Sequence, residues 1–218
     1  MAGEPFGRRR ARLDSYPVLA AATSDANPAA VVLLASGSGT LAQAVLDAAG
    51  GDYRVSALIT DRPTAPVVER TLEAGVAVHM LPVSDYDSRA AWDDALAYLL
   101  TELSPDLIVS AGFMRVIGPS VLARFEGRII NTHPSLLPAF PGAHAVRDAL
   151  AAGATSTGAT VHWVDHGVDT GAVLAQARVD VLPSDTQDVL HERIKEVERR
   201  LVVDVIRDLV RGNRREGT

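Results

Sequence analysis

The chain has 218 residues, 47% hydrophobic and 22% charged, enough apolar substance for a sizeable buried core. Its 27 acidic against 21 basic residues give a net charge of −6, which argues against a broad nucleic-acid or membrane surface but leaves room for a local anion site. It contains no cysteine, so disulfides, thiolate metal sites and a thiol nucleophile are excluded.

Residues 1 to 29 read as an irregular arm. Its basic run "RRRAR" and short "VLAAA" fall short of a secretory apolar segment, and no window of the chain approaches a membrane span. A cytoplasmic protein with one domain over residues 30 to 218 is the expectation. That domain opens with the apolar run "AAVVLLAS", then "GSGTLAQAVLDAAGG", a glycine turn leading into a helix that Gly50 and Gly51 stop. "YRVSALIT" is a second strand, "TAPVVERTLEAG" a second helix closed by Gly75, and "VAVHML" a short third strand. Ser88 is placed to cap a helix over "RAAWDDALAYLLTEL", whose Trp92, Leu96, Leu99 and Leu103 recur at near-helical spacing. "PDLIVSAG" is a fourth strand, "GPSVLARF" a short helix and "GRIINTH" a fifth strand.

After Gly142 the pattern changes. "AHAVRDALAAG" is a helix, while "STGATVHWVD" and "GAVLAQARVDVLP" are two strands joined by the tight "HGVDT", a hairpin-like pair on the sheet edge. The last segment is a long amphipathic helix, capped by Ser184 or Asp185 and apolar along Val189, Ile194, Val197, Leu201, Val205 and Leu209. The class is therefore α/β: an open, mostly parallel, doubly wound Rossmann-like sheet with an antiparallel C-terminal strand pair and a long C-terminal helix.

Ligands of such sheets sit beyond the carboxyl ends of the strands, where three polar loops cluster: Ser36 to Thr40, Gly112 to Arg115 and Asn131 to Ser135. The first, "SGSGT", suits a phosphate, because glycines expose backbone N–H groups at a helix start. It also fits the dinucleotide fingerprint G-x-G-x-x-G/A, with Asp61 where a ribose-binding acid would sit, so a dinucleotide-binding Rossmann protein is a competing reading. Asn131 and His133 share a strand face, and a carboxamide beside an imidazole suits a developing oxyanion. Pro134, Pro138 and Pro141 restrict the loop that follows. Asp169, in a glycine-flanked turn, is either an Asx-turn residue or a partner that keeps His133 protonated and relays a proton. Arg89 and Arg115 are cations available to carboxylates or phosphates, and His162 reads as structural. The six histidines show no metal-ligand spacing.

The run "NTHPSLLPAFPG", with the later Asp169, resembles the signature of the folate-dependent formyltransferase family. The resemblance extends in order over "LLASGSGT", "YDSRAAW", "SAGFMRVIG", "GATVHWVDHGVDTGAVLAQ" and "SDTQDVLHERIKEVE", from about residue 30 to 211. It implies the formyltransferase fold and passage of a formyl group from 10-formyltetrahydrofolate, as cosubstrate and without a metal, to the amine of glycinamide ribonucleotide in purine biosynthesis. A formyltetrahydrofolate hydrolase or another formyltransferase of the family is the alternative. The extra C-terminal domain of the methionyl-tRNA enzymes and the extra N-terminal domain of the deformylases find no room in this length. By the same resemblance Asn131, His133 and Asp169 are catalytic, and Gly37, Gly39, Thr40 and Leu41 with Glu198 bind the ribonucleotide. Arg89, Met114, Arg115, Val116, Ile117, Asn131 and Asp165 hold the folate. Leu41 stands where relatives often carry Asn, which removes a side-chain hydrogen bond. The expected partners are small molecules, not nucleic acid or membrane, and exposed apolar helix faces point to a homodimer.

Overall fold

A computed structural model of the protein describes residues 27–216. The arm expected over residues 1 to 29 lies almost wholly outside them. Apolar runs of four to eight residues are too short for a spanning helix and pair instead as strands: β1 (Ala29–Leu34), β2 (Tyr53–Thr60), β3 (Ala77–Met80), β4 (Leu107–Ser110), β5 (Ile129–His133), β6 (Ser156–Trp163) and β7 (Val173–Asp180). They form one seven-stranded sheet in the order β3-β2-β1-β4-β5-β6-β7. The pairs from β3 through β5 are parallel, and β5–β6 and β6–β7 are antiparallel.

The helices are α1 (Thr40–Asp47), α2 (Val67–Glu73), α3 (Arg89–Leu103), α4 (Pro119–Phe125), α5 (Ala145–Ala151) and α6 (Gln187–Glu216). None of them is long and apolar enough to cross a membrane. They divide the core by strand alternation. Val31, Leu33, Val109, Ile130 and Val161 face α1 and α6, while Val32, Leu34, Ile108 and Ile129 face α3 and α4. Ser88 caps α3 as the sequence predicts, its Oγ accepting from the Ala91 N–H at 3.1 Å.

Two expectations need correction. The Thr186 hydroxyl, rather than Ser184 or Asp185, caps α6 by accepting from the Val189 N–H at 3.3 Å. Asp185 instead accepts from the Leu182 N–H and forms a two-pronged ion pair with Arg193 at 2.7 Å. Of the expected α6 stripe, Ile194, Leu201 and Val205 are buried and Val197 and Leu209 pack against the core, but Val189 is 52% exposed and Leu190 is buried in its place. The antiparallel pair does lie at one edge of the sheet, β6 against β5 and β7 outermost, with β3 at the other edge.

The order 3-2-1-4 places the reversal of winding between β1 and β4, where the loops after their carboxyl ends diverge into a crevice. The backbone joins these loops directly, the Ser36 N–H donating to the Gly112 carbonyl at 3.2 Å.

Candidate active site

β5 presents Asn131 and His133 on one face, and the antiparallel register sets His162 of β6 opposite Asn131 on that same face. The loop between β6 and β7 folds back over it and delivers Asp169, held at φ 55 in the left-handed region. Asp169 Oδ2 lies 3.3 Å from His133 Nδ1 and accepts from the Gly142 N–H at 2.8 Å. Its Oδ1 lies 3.5 Å from both Asn131 Nδ2 and His162 Nε2. One carboxylate thus ties the β6–β7 loop to β5 and to the proline-rich loop after it. Burial would push this carboxyl up, but the contact with His162, the Gly142 N–H and the charges of both imidazoles hold it below the ordinary carboxylate range.

That direction fixes a stability dependence. A carboxyl that titrates lower when folded than its ordinary 3.8 contributes stability that is present above that value. The contribution is lost as pH falls through the folded value. Denaturant midpoints of the wild type and Asp169→Asn should therefore converge on acidification, and a constant gap would contradict the assignment.

The second ring nitrogen of His133, Nε2, stands 2.8 Å from the Phe140 carbonyl, so both nitrogens of this buried ring face acceptor oxygens. His162, a structural residue on the sequence pattern alone, is brought to the Asp169 carboxylate as well. Its Nδ1 donates to the Trp163 carbonyl at 2.8 Å, and its Nε2 is 3.3 Å from Asn131 Nδ2. A neutral His162 accepts from Asn131, whereas a protonated one donates to Asp169. The register opposite Asn131 was the available signal, but it requires knowing that β6 pairs with β5.

The loop after His133 is locked by β6 and β7. Thr160 Oγ1 donates to the Ser135 carbonyl at 2.6 Å and accepts from the Leu137 N–H at 3.1 Å. Gln176 Nε2 donates to the Leu137 carbonyl at 2.8 Å. Thr160→Val should leave a buried carbonyl and N–H unpaired and cost about 1–3 kcal/mol in chemical denaturation, with a smaller loss of kcat than at His133.

At the glycine turn, Gly39 has φ 75 and a Cβ there would meet the Val67 side chain at 2.6 Å and its Cα at 2.8 Å. Glycine is required for the close approach of the turn to α2. Gly37 has open space around it, so its part in the site is backbone exposure only. Thr40 starts α1 at the mouth of the turn and is half-buried. The Leu41 side chain is buried at 8% exposure in the core under α1, so only its N–H can face a ligand.

The loop after β4 is pinned residue by residue. The Met114 N–H donates to Ser36 Oγ at 2.9 Å, and Arg115 Nε donates to Asp61 Oδ2 at 2.7 Å. Arg89 donates to the Val116 carbonyl, and the Gly118 N–H donates to buried Asp93 at 2.9 Å. Met114 and Val116 are each 63% exposed and form an apolar ledge, whereas the Ile117 side chain is buried against α3 and α4, leaving its backbone for a ligand. Arg89 lies over the Trp92 ring at 4.1 Å. Its guanidinium is held below its ordinary value by burial, opposed by Asp93, and then by the charge of Arg115, so the two cations converge beside the ledge. Asp61 is not available as a ribose acid: its buried oxygens are taken by Ser36 Oγ, at 2.5 Å, and by Arg115. The dinucleotide reading loses its second element. Asp165 likewise turns inward on its own loop, accepting from the Gly167 N–H at 3.0 Å and Thr170 Oγ1 at 2.7 Å.

Glu198 of α6 is buried beside Thr132, on the opposite face of β5 from Asn131 and His133. Burial raises its carboxyl above the ordinary range, against the Thr132 hydrogen bond and the charges of Lys195 and Arg199. Since the raised folded value makes the charged form unfavourable, stability is lost as pH rises from the unfolded value toward the folded one. Glu198→Gln should therefore gain on the order of 1 kcal/mol at neutral pH, read as a Tm rise of about 2–4 °C. Among the described residues no three His, Asp or Glu side chains gather as metal ligands.

A family profile described as formyl transferase matches residues 29–206. A phosphoribosylglycinamide formyltransferase of Mycobacterium tuberculosis is 54% identical over 181 residues, which cover 82% of this chain and 84% of that one. The enzyme of that name from Escherichia coli K12 is 38% identical over 179 residues, covering 81% and 84%. Among solved structures, glycinamide ribonucleotide transformylase 1 from Symbiobacterium toebii superposes with a TM-score of 0.83 at 42% identity, covering 85% of this chain and 89% of that one.

Proposed function

The chain belongs to the formyl transferase family, and from that premise we propose that it carries a formyl group from 10-formyltetrahydrofolate to the amine of phosphoribosylglycinamide, a step of purine biosynthesis. The observation that carries this reading is the meeting of Asn131, His133 and Asp169 on one sheet face, beside a glycine turn suited to phosphate and an apolar ledge flanked by two arginines.

In the proposed reaction the acceptor amine attacks the formyl carbon and a tetrahedral oxyanion forms. Asn131 Nδ2 and a protonated His133 donate to that oxygen. His133 does so by exchanging the Phe140 carbonyl for the substrate oxygen, in a loop where Phe140 itself carries left-handed strain at φ 54. Asp169 orients His133 and relays the proton lost by the amine to the nitrogen that leaves as tetrahydrofolate. The new C–N bond replaces the old one, so no enzyme-bound intermediate is required.

Backbone N–H groups of the glycine turn and the Thr40 hydroxyl hold the acceptor's phosphate. Met114 and Val116 line the donor's site, Arg89 and Arg115 take its anionic tail, and the loop from Asp165 to Asp169 covers its pterin. No step calls for a metal. Because both substrates are small charged metabolites, we place the enzyme in the cytoplasm, acting as a homodimer over one domain from about residue 30.

The test is turnover of 10-formyltetrahydrofolate with and without phosphoribosylglycinamide, followed by folate absorbance. Acceptor-dependent turnover is expected. Formate release without acceptor would make the protein a hydrolase, and NAD(H) binding without folate binding would restore the dinucleotide reading.

A further inference from the structure

Asp61 has no part in the chemistry above, yet it is among the most enclosed charges of the protein. Its side chain is fully buried while that of Arg115 is 38% exposed, and it spans from β2 across β1 to the loop after β4. It is also fully engaged, accepting from Ser36 Oγ at one oxygen and Arg115 Nε at the other. Ser36 Oγ in turn accepts from the Met114 N–H, so one carboxylate governs both the backbone at Met114 and the side chain at Arg115. Among the described residues Arg115 is bonded only through Nε, which leaves its two terminal nitrogens for a ligand.

We propose that Asp61 is a positioning residue for the formyl donor, acting through Arg115: it grips the guanidinium by Nε and turns the terminal N–H pair toward an anionic group lying against Met114 and Val116. This rests on the reading of that ledge as the donor site. The physical reason is preorganisation. A four-carbon cationic side chain left unheld loses rotamer freedom on binding, whereas one already fixed through Nε binds with that freedom spent. A buried carboxylate suits the task because it is not screened by solvent and its attraction to the cation survives at physiological salt.

The test compares Asp61→Ala, Asp61→Asn, Arg115→Ala and the Asp61→Ala, Arg115→Ala double variant in the full-length enzyme. Asp61→Ala should raise KM for 10-formyltetrahydrofolate by about tenfold, with KM for phosphoribosylglycinamide and kcat little changed. In the Arg115→Ala background the same substitution should add little. Additive losses, or an equal rise in the acceptor's KM, would overturn the assignment. Asp61→Asn keeps the shape and can still accept from Ser36, so it carries the comparison if Asp61→Ala fails to fold, and it too should raise the donor KM selectively. A wild type without acceptor-dependent transfer would sink the functional reading; an active wild type without this coupling would sink only the role of Asp61.

Discussion

Asp169→Asn and His133→Ala are each expected to lower kcat by about 100- to 1,000-fold while changing KM for either substrate little. For Asp169 the reason is geometric as well as electrostatic. Its two oxygens serve His133, His162, Asn131 and the Gly142 N–H at once. Asparagine preserves shape but supplies one acceptor instead of two. Its NH2 group then faces either the imidazole of His133 or the amide of Asn131, a donor where a donor already stands. His133→Ala removes the oxyanion donor outright and leaves Asp169 buried with one partner fewer. The two losses should not add in the double variant, because the residues act as one unit. Near-normal kcat in either single variant, with the thermal midpoint retained, would exclude this centre as the reacting site.

Gly39→Ala is expected to raise KM for the acceptor by about tenfold or more and to destabilise the fold by about 1–3 kcal/mol, leaving KM for the donor unchanged. Two independent penalties converge on this residue. Its φ of 75 is unfavourable to any residue with a Cβ, and that Cβ would meet the main chain of Val67 at 2.8 Å, which no rotamer change can relieve. Relief must come from moving the turn away from α2, and the N–H groups that meet the phosphate move with it. Steady-state kinetics with each substrate varied in turn, together with a melting curve, checks both parts. Equal effects on the two substrates would show that the turn serves the whole fold rather than the phosphate.

Most of the architecture is legible because its signals are local. Strand length, glycine stops and the Ser88 cap lie in single stretches, and they yield the parallel half of the sheet directly. Asn131 and His133 are legible for the same reason: two positions apart on a strand, they share a face whatever the strand packs against. What escapes is whatever depends on pairing distant segments. His162 joins the site only because β6 runs antiparallel beside β5, and nothing in "ATVHWV" announces its neighbour. Asp61 matches a ribose-binding pattern in sequence, but its oxygens are consumed by Ser36 and by Arg115, 54 positions away. Leu41 and Ile117 sit inside motifs that resemble ligand loops, yet an aliphatic side chain at the start of a helix or at the end of a loop is drawn into the nearest core. A motif marks which backbone lies near a ligand. Burial decides whether the side chain does.

The antiparallel turn of the sheet has a consequence for inheritance. Because β6 doubles back beside β5, every side chain that meets at the reacting centre comes from one stretch of gene, from Asn131 to Asp169, whereas the glycine turn and the ledge after β4 lie in the stretch before it. Bond-making and most of the recognition are thus encoded in tandem rather than interleaved. An ancestral chain could exchange the earlier segment and change what it formylates without disturbing how, and chimeras joined near β5 would be the laboratory form of that exchange.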